Sequence, residues 1–326
     1  MIKPAQGKGE GEGSGRELRD CGPGPERPSH PAVQRDASHF EPRKDRRAFV
    51  GRVWHVTFLI ATLIGIVVLA TLLFDIVRDG IGVLTLDFLR NFPSRLASRA
   101  GVHPALLGSM WVLGLTAVFA FPLGVGTAIW LEEYAPNNRW TRIIETNIAN
   151  LAGVPSVVYG ILGLAVFVRA LAMGRSIIAA ALTLALLILP IIIIASQEAI
   201  KAVPSSIRLG SYALGATRWE TIQHHVFPQA LPGILTAGIL ALSRAVGEAA
   251  PLLLVGALAF VDFAPARLTD QFTVVPVQIY DWVSRPQPAF HELAAAASIV
   301  LLILLLTMNA AAILLRNRYS KRNQNG

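Results

Sequence analysis

The sequence predicts an all-α, polytopic membrane protein with six transmembrane helices, and three observations lead there. Of 326 residues, 53% are hydrophobic and only 15% are charged, with a mean hydropathy of +0.52. Soluble domains carry about 25% charged residues, so long segments must be shielded from water. Six apolar stretches, 53–77, 105–131, 148–171, 176–195, 233–261 and 292–315, come near or exceed the ~20 residues that cross a bilayer. No complete catalytic or metal-ligating set interrupts them.

Taken in order, residues 1–52 read as a disordered cytoplasmic tail, rich in Gly and Pro and ending in the basic clusters Arg43-Lys44 and Arg46-Arg47. Its glycine run at 7–15 lacks the order of a phosphate-cradling loop. The lone Cys21 excludes an intramolecular disulfide. No signal-peptide core precedes Val53, so the first stretch is expected to stay as an anchor, followed by an external loop to about 104. Six spans put both termini on one side. Fifteen Lys and Arg flank the spans on the side of the termini against eight on the other, which places both termini in the cytoplasm. The net charge of +8 is too thinly spread for a nucleic-acid stripe.

The 196–232 loop is the longest cytoplasmic connection. Pro204, Gly210, Gly215, Pro228 and Pro232 punctuate helix formers there, predicting short helices separated by turns. Leu214, Trp219, Ile222 and Val226 are spaced to form one apolar face suited to a protein partner or the lipid interface. A basic tail, 316–326, closes the chain.

Away from the ends of the apolar stretches, charged groups fall in the fifth alone: Arg244, about 16 Å deep at 1.5 Å per residue, and Glu248, four residues on and on the same helix face. One reading is a structural ion pair. The other is a substrate path: a planar guanidinium matches tetrahedral oxyanions, and an ionised carboxylate only accepts hydrogen bonds. Together they would favour a protonated oxyanion such as hydrogen phosphate over sulfate. Gly247 and Pro251 flank the pair and are expected to loosen the helix. Pro155 and Pro190 mark helix starts, kinks or unwinding. Asn147, Asn150, Ser156 and Tyr159 open the third span and suit either a polar path or bonds between helices. His291-Glu292 begins an H-E-x-x-H pattern that Ala295 breaks, and His224-His225 point different ways on a helix, so no metal or other cofactor is expected.

Several segments resemble the inner-membrane permease subunits of ATP-binding-cassette importers, and among them the PstA-type phosphate permeases. The loop EAIKAVPSSIRLGSYALGATRWETIQHHVFPQALPGI, 198–234, is similar to the family's EAA loop: EAA, three residues, Gly, nine residues, Ile, one residue, Leu-Pro. Gly215 and Pro228 fit, whereas Leu209-Gly210-Ser211 stands for EAA, His225 for Ile and Phe227 for Leu. LSRAVGEAAPLLLVGA at 242–257, WLEEYAP at 130–136 and LAGVPSVVYGILGL at 151–164 resemble phosphate-permease segments, with Ala249 in place of the usual Thr.

The resemblance implies a type I importer permease fold over 105–315, with 196–232 as its coupling loop. Gly215 would mark the turn, and Ala216, Thr217, Arg218 and Trp219 would lie close to the ATPase contact. It implies a PstC-like sister permease, two copies of a PstB-like ATPase, and a PstS-like phosphate-binding protein outside the cell membrane. The chain itself has no nucleotide site, so energy must come from a partner. The same architecture moving sulfate or molybdate is the nearest alternative. A passive anion channel or a membrane enzyme would belong to other classes, and no complete catalytic set supports the enzyme.

Overall fold

The computed structural model describes residues 44–258 and 260–324, all of whose regular structure is helical. The glycine run, Cys21 and the tail up to residue 43 lie outside the described residues. Helix α1, Lys44–Gly80, already takes in 44–52, which the composition had assigned to the tail. The apolar stretch behind those residues propagates the helix toward its N-terminus, because adding a residue to an existing helix costs far less than starting one.

The bundle centres on α6 (Ile177–Lys201), packed between α3 (His103–Ile129) and α9 (Phe227–Val246). Ala, Thr, Leu and Ile residues along α6, among them Ala180, Ala181, Thr183, Leu184, Ile188 and Ile192, are buried. Small residues permit this proximity, since in lipid helices associate through close packing rather than a hydrophobic drive. Thr116 Oγ1 on α3 donates to its own turn at Val112 O (2.7 Å) and across to Ala181 O of α6 (3.2 Å). At the start of α6 the orphan amides of Ile177 and Ile178 donate to Asp270 O and Leu268 O.

The Asp270 turn is held in the same way. Arg267 and Ala266 N–H donate to its carboxylate at 2.8 and 2.9 Å and hold its carboxyl below the usual carboxylate range. A depressed folded value means this support is present above the unfolded value and lost as pH falls through the folded one. Amide exchange at residues 266 and 267, corrected for intrinsic rate, should therefore accelerate on acidification; an unchanged rate would show that the carboxylate does not hold the turn.

Five helical runs among the described residues are long and apolar enough to cross a membrane: 48–80, 103–134, 177–201, 218–246 and 288–318. The third predicted span is a bent pair, α4 (Arg139–Ala152) and α5 (Ser156–Gly163, continued as a π-helical stretch to Ala170), bent by 103° at the break: a broken sixth span or a re-entrant loop. Pro155 causes the break. It has no N–H to give and disfavours the α conformation at Val154. Pro190, by contrast, sits inside an unbroken α6.

The fifth span also differs. It begins at Arg218 and ends at Val246, followed by a break at 247–249 and the short helix α10, Ala250–Val255. Pro251 cannot donate to the carbonyl of Gly247, and its ring would clash there, so the helix stops ahead of it. Gly256 then turns the chain at φ 114°, a backbone that only glycine adopts freely. The remaining helices are α2 (Leu86–Arg90), α7 (Ser205–Ala213), α8 (Arg218–Thr221), α11 (Val275–Val283) and α12 (Pro288–Gln324).

Gly163 on α5 shows how tight the bundle is, because a Cβ there would overlap the side chain of Thr183 on α6. Gly163→Val is expected to cost about 1–3 kcal/mol of overpacking. It should lower the thermal midpoint of the solubilised protein and its membrane abundance. A variant as stable and abundant as the parent would refute this packing.

Candidate functional site

Two regions of the fold carry the sequence-predicted residues, and one continuous helical run joins them. The first is the connection between α6 and that run. Because α6 reaches Lys201 and the next run begins at Arg218, the expected 196–232 loop shrinks to 202–217 with α7 inside it. Pro228 and Pro232 fall within the early turns of α9 and do not separate helices. A π-helical stretch, Ile222–Val226, fuses α8 to α9.

Gly215 stands at the turn with φ 86°. The Ala216 N–H donates back to Ser211 O. Thr217 caps α8 through a reciprocal capping box with Glu220. Ser211 Oγ and Thr221 Oγ1 share a buried hydrogen bond of 2.9 Å, which ties the two arms of the connection together.

The expected single apolar face does not form. Ile222 and Val226 are buried in the core, while Leu214 is 91% and Trp219 59% exposed, with Leu209 also exposed beside them. The cause is the turn: Gly215 reverses the chain between Leu214 and Trp219, so regular helical spacing does not carry across it. The exposed trio forms an apolar knuckle at the tip.

The second region is the end of α9. Arg244 Nε and Glu248 Oε1 form the expected pair at 3.4 Å. Its setting is different from a continuous helix, because Arg244 lies in the last turn of α9 and Glu248 in the break beyond. A cation in a last helical turn faces the negative end of the helix dipole. The Arg244 side chain is 50% exposed and that of Glu248 17%. The guanidinium makes no hydrogen bond to any described residue, which leaves its fork of donors free. Inside the bundle at this level, the cavity between Ser109, Val112, Leu184, Ala245, Val246 and Val274 measures about 10 Å³, hardly room for one water. The half-exposed Arg244 side chain therefore opens away from this packed interior.

Four of the other polar residues have local partners. Tyr159 Oη donates to Leu151 O and Asn147 Nδ2 to Ile143 O. His224 Nδ1 lies 3.1 Å from Glu220 O, and His291 Nε2 2.9 Å from Arg285 O. Among the described residues, no three His, Cys, Asp or Glu gather to hold a metal.

Sequence reasoning missed a charged cluster where α3 runs on into a π-helical turn, Trp130–Tyr134. Arg208 of α7 donates through Nη2 and Nε to Glu133 Oε1 (2.8 and 3.0 Å) and through Nη1 and Nη2 to Val203 O and Ile200 O at the end of α6. Glu132 accepts from Gln197 and pairs with Lys201. The signal was present as two adjacent acids ending an apolar run, but their partners are 65 to 75 residues away.

Residues 120–324 match the family described as binding-protein-dependent transport system inner membrane component. The chain is 38% identical to a probable ABC transporter permease protein, YqgI, of Bacillus subtilis over 56% of its own length, and it spans 62% of that relative's length. It is 33% identical to the phosphate transport system permease protein PstA 1 of Mycobacterium tuberculosis, covering 77% of this chain and 83% of the relative. Among solved structures, a bacterial ABC transporter involved in the import of alginate has a chain that superposes with a TM-score of 0.58 at 14% identity, over 84% of this chain and 99% of the other.

Proposed function

Because this chain belongs to the family of binding-protein-dependent transport system inner membrane components, we propose that it is a permease subunit of an ATP-driven inorganic phosphate importer. It lies in the cell membrane with both termini cytoplasmic. One observation carries the reading: the unbroken run 218–246, about 43 Å long at 1.5 Å per residue, begins at the exposed apolar knuckle and ends at the Arg244–Glu248 pair. A single rigid element thus links a docking surface to an oxyanion-matched guanidinium.

The knuckle docks a separate ATPase, one copy per permease. Arg244 faces out of its own bundle, so the path lies between this chain and a sister permease, and neither transports alone. Binding and hydrolysis of ATP on the partner bias the pair between inward-open and outward-open states, and the helices carry the shift as rigid bodies. A phosphate-binding protein delivers substrate at the outer face. Arg244 offers bidentate donors to phosphate oxygens. Glu248 accepts a hydrogen bond from the proton that hydrogen phosphate carries and sulfate lacks.

Uptake of labelled phosphate by cells lacking the chain, with and without its gene restored, tests this reading with sulfate as competitor. Restored uptake that sulfate does not inhibit is expected. Uptake that sulfate or molybdate blocks would transfer the assignment to another oxyanion, and uptake independent of ATP would point to a channel.

A further inference from the structure

The π-helical turn Trp130–Tyr134 meets the first residue of the 218–246 run, and three of its consecutive side chains reach three different elements. Glu132 Oε1 accepts from Gln197 Nε2 at 3.0 Å and lies 3.3 Å from Lys201 Nζ, both on α6. Glu133 takes the paired donors of Arg208 on α7. The Tyr134 ring lies under the Arg218 guanidinium, 5.4 Å from the ring centroid, at the start of α8. Successive side chains of a helix fan around its axis, so one turn grips both arms of the 202–217 connection and the helix before it.

We infer that this turn is a strut that locks the coupling connection to α3, so that connection and transmembrane helix move as one body when the ATPase changes state; the inference rests on the proposed importer function. Glu133 and Arg208 are its positioning residues. Their side chains are only 7% and 20% exposed, so water screens the pair weakly. The guanidinium also has little freedom to turn: Nε and Nη2 share Glu133, while Nη2 also bonds Ile200 O in the last turn of α6 and Nη1 bonds Val203 O just beyond it. The Ser211–Thr221 hydrogen bond joins the arms, so a displacement of either arm reaches the clamp. Without the clamp, α7 would keep the Ile207 packing on the core and the Ser211–Thr221 hydrogen bond but lose its charged tie to the α3 run, and would yield to the partner's motion instead of passing it on.

The test uses the full complex, this chain with its sister permease, ATPase and phosphate-binding protein, in liposomes, reading phosphate imported and ATP hydrolysed side by side. Glu133→Gln and Arg208→Lys should reduce phosphate moved per ATP by about two- to thirtyfold, the range over which mutations alter coupling. The ATPase should still co-purify and hydrolyse, and Glu133→Asp should retain more of the ratio than Glu133→Gln. An unchanged ratio, or one that falls only as the ATPase is lost from the complex, overturns the strut.

A second readout places spin labels at Ser206→Cys and Leu123→Cys, both exposed, in a Cys21→Ser background. The distance between them should stay constant through the nucleotide cycle in the otherwise unaltered chain and broaden in Glu133→Gln. A distance that shifts with nucleotide before any strut mutation overturns the inference. A complex that hydrolyses ATP but imports no phosphate overturns the substrate assignment alone, and the label distances then decide the strut by themselves.

Discussion

Replacing Arg244 with alanine is expected to lower ATP-dependent phosphate uptake by about ten- to hundredfold while the protein stays in the membrane, because a hydrogen bond to a charged group is worth about 1.5–3 kcal/mol. Two effects combine in that loss. The substrate loses a bidentate donor set, and Glu248, already largely shielded, loses its counter-charge. Arg244→Lys keeps the charge but not the planar fork, so it should fall between the two. Glu248→Gln separates the roles: an amide can donate to an oxygen of sulfate as well as of phosphate, so sulfate should become an inhibitor of uptake. Membrane abundance of each variant must be measured in parallel. If Arg244→Ala transports normally, or fails only because the protein disappears, the pair is structural and the selectivity argument falls with it.

The second large effect is expected at the knuckle. Leu214 and Trp219 are exposed at the turn with no described residue covering them, and a few anchors, Trp foremost, dominate interface energies at about 2–4 kcal/mol each. Leu214→Asp combined with Trp219→Asp should reduce ATPase co-purification by about thirtyfold or more. Since neither side chain is buried, the thermal midpoint of the isolated chain should be unchanged. Normal co-purification would move the docking surface elsewhere, and a lower midpoint would show that the residues serve the fold.

The spans were legible because lipid imposes a length and a composition that survive in one dimension, and the Arg244–Glu248 contact because four-residue spacing fixes neighbours locally. The knuckle was half legible. Its residues were identified, but the assumption of helical spacing across Gly215 merged exposed Leu214 and Trp219 with buried Ile222 and Val226. The prolines were the least readable signals: Pro155 and Pro251 break their spans, whereas Pro190 passes through α6. A proline removes one hydrogen bond wherever it stands, and whether the helix tolerates that depends on the packing around it.

By itself, then, the sequence determined that this is a membrane-spanning helical chain with several apolar segments, and that Arg244 and Glu248 are neighbours, because hydrophobicity and short-range spacing are local properties. Only the tertiary structure decided that Arg244 faces out of its own bundle, that the third span bends, and that Glu132, Glu133 and Tyr134 grip the connection through Gln197, Lys201, Arg208 and Arg218. Those contacts join residues dozens of positions apart, and a pairing of that kind exists only once the helices between them have packed.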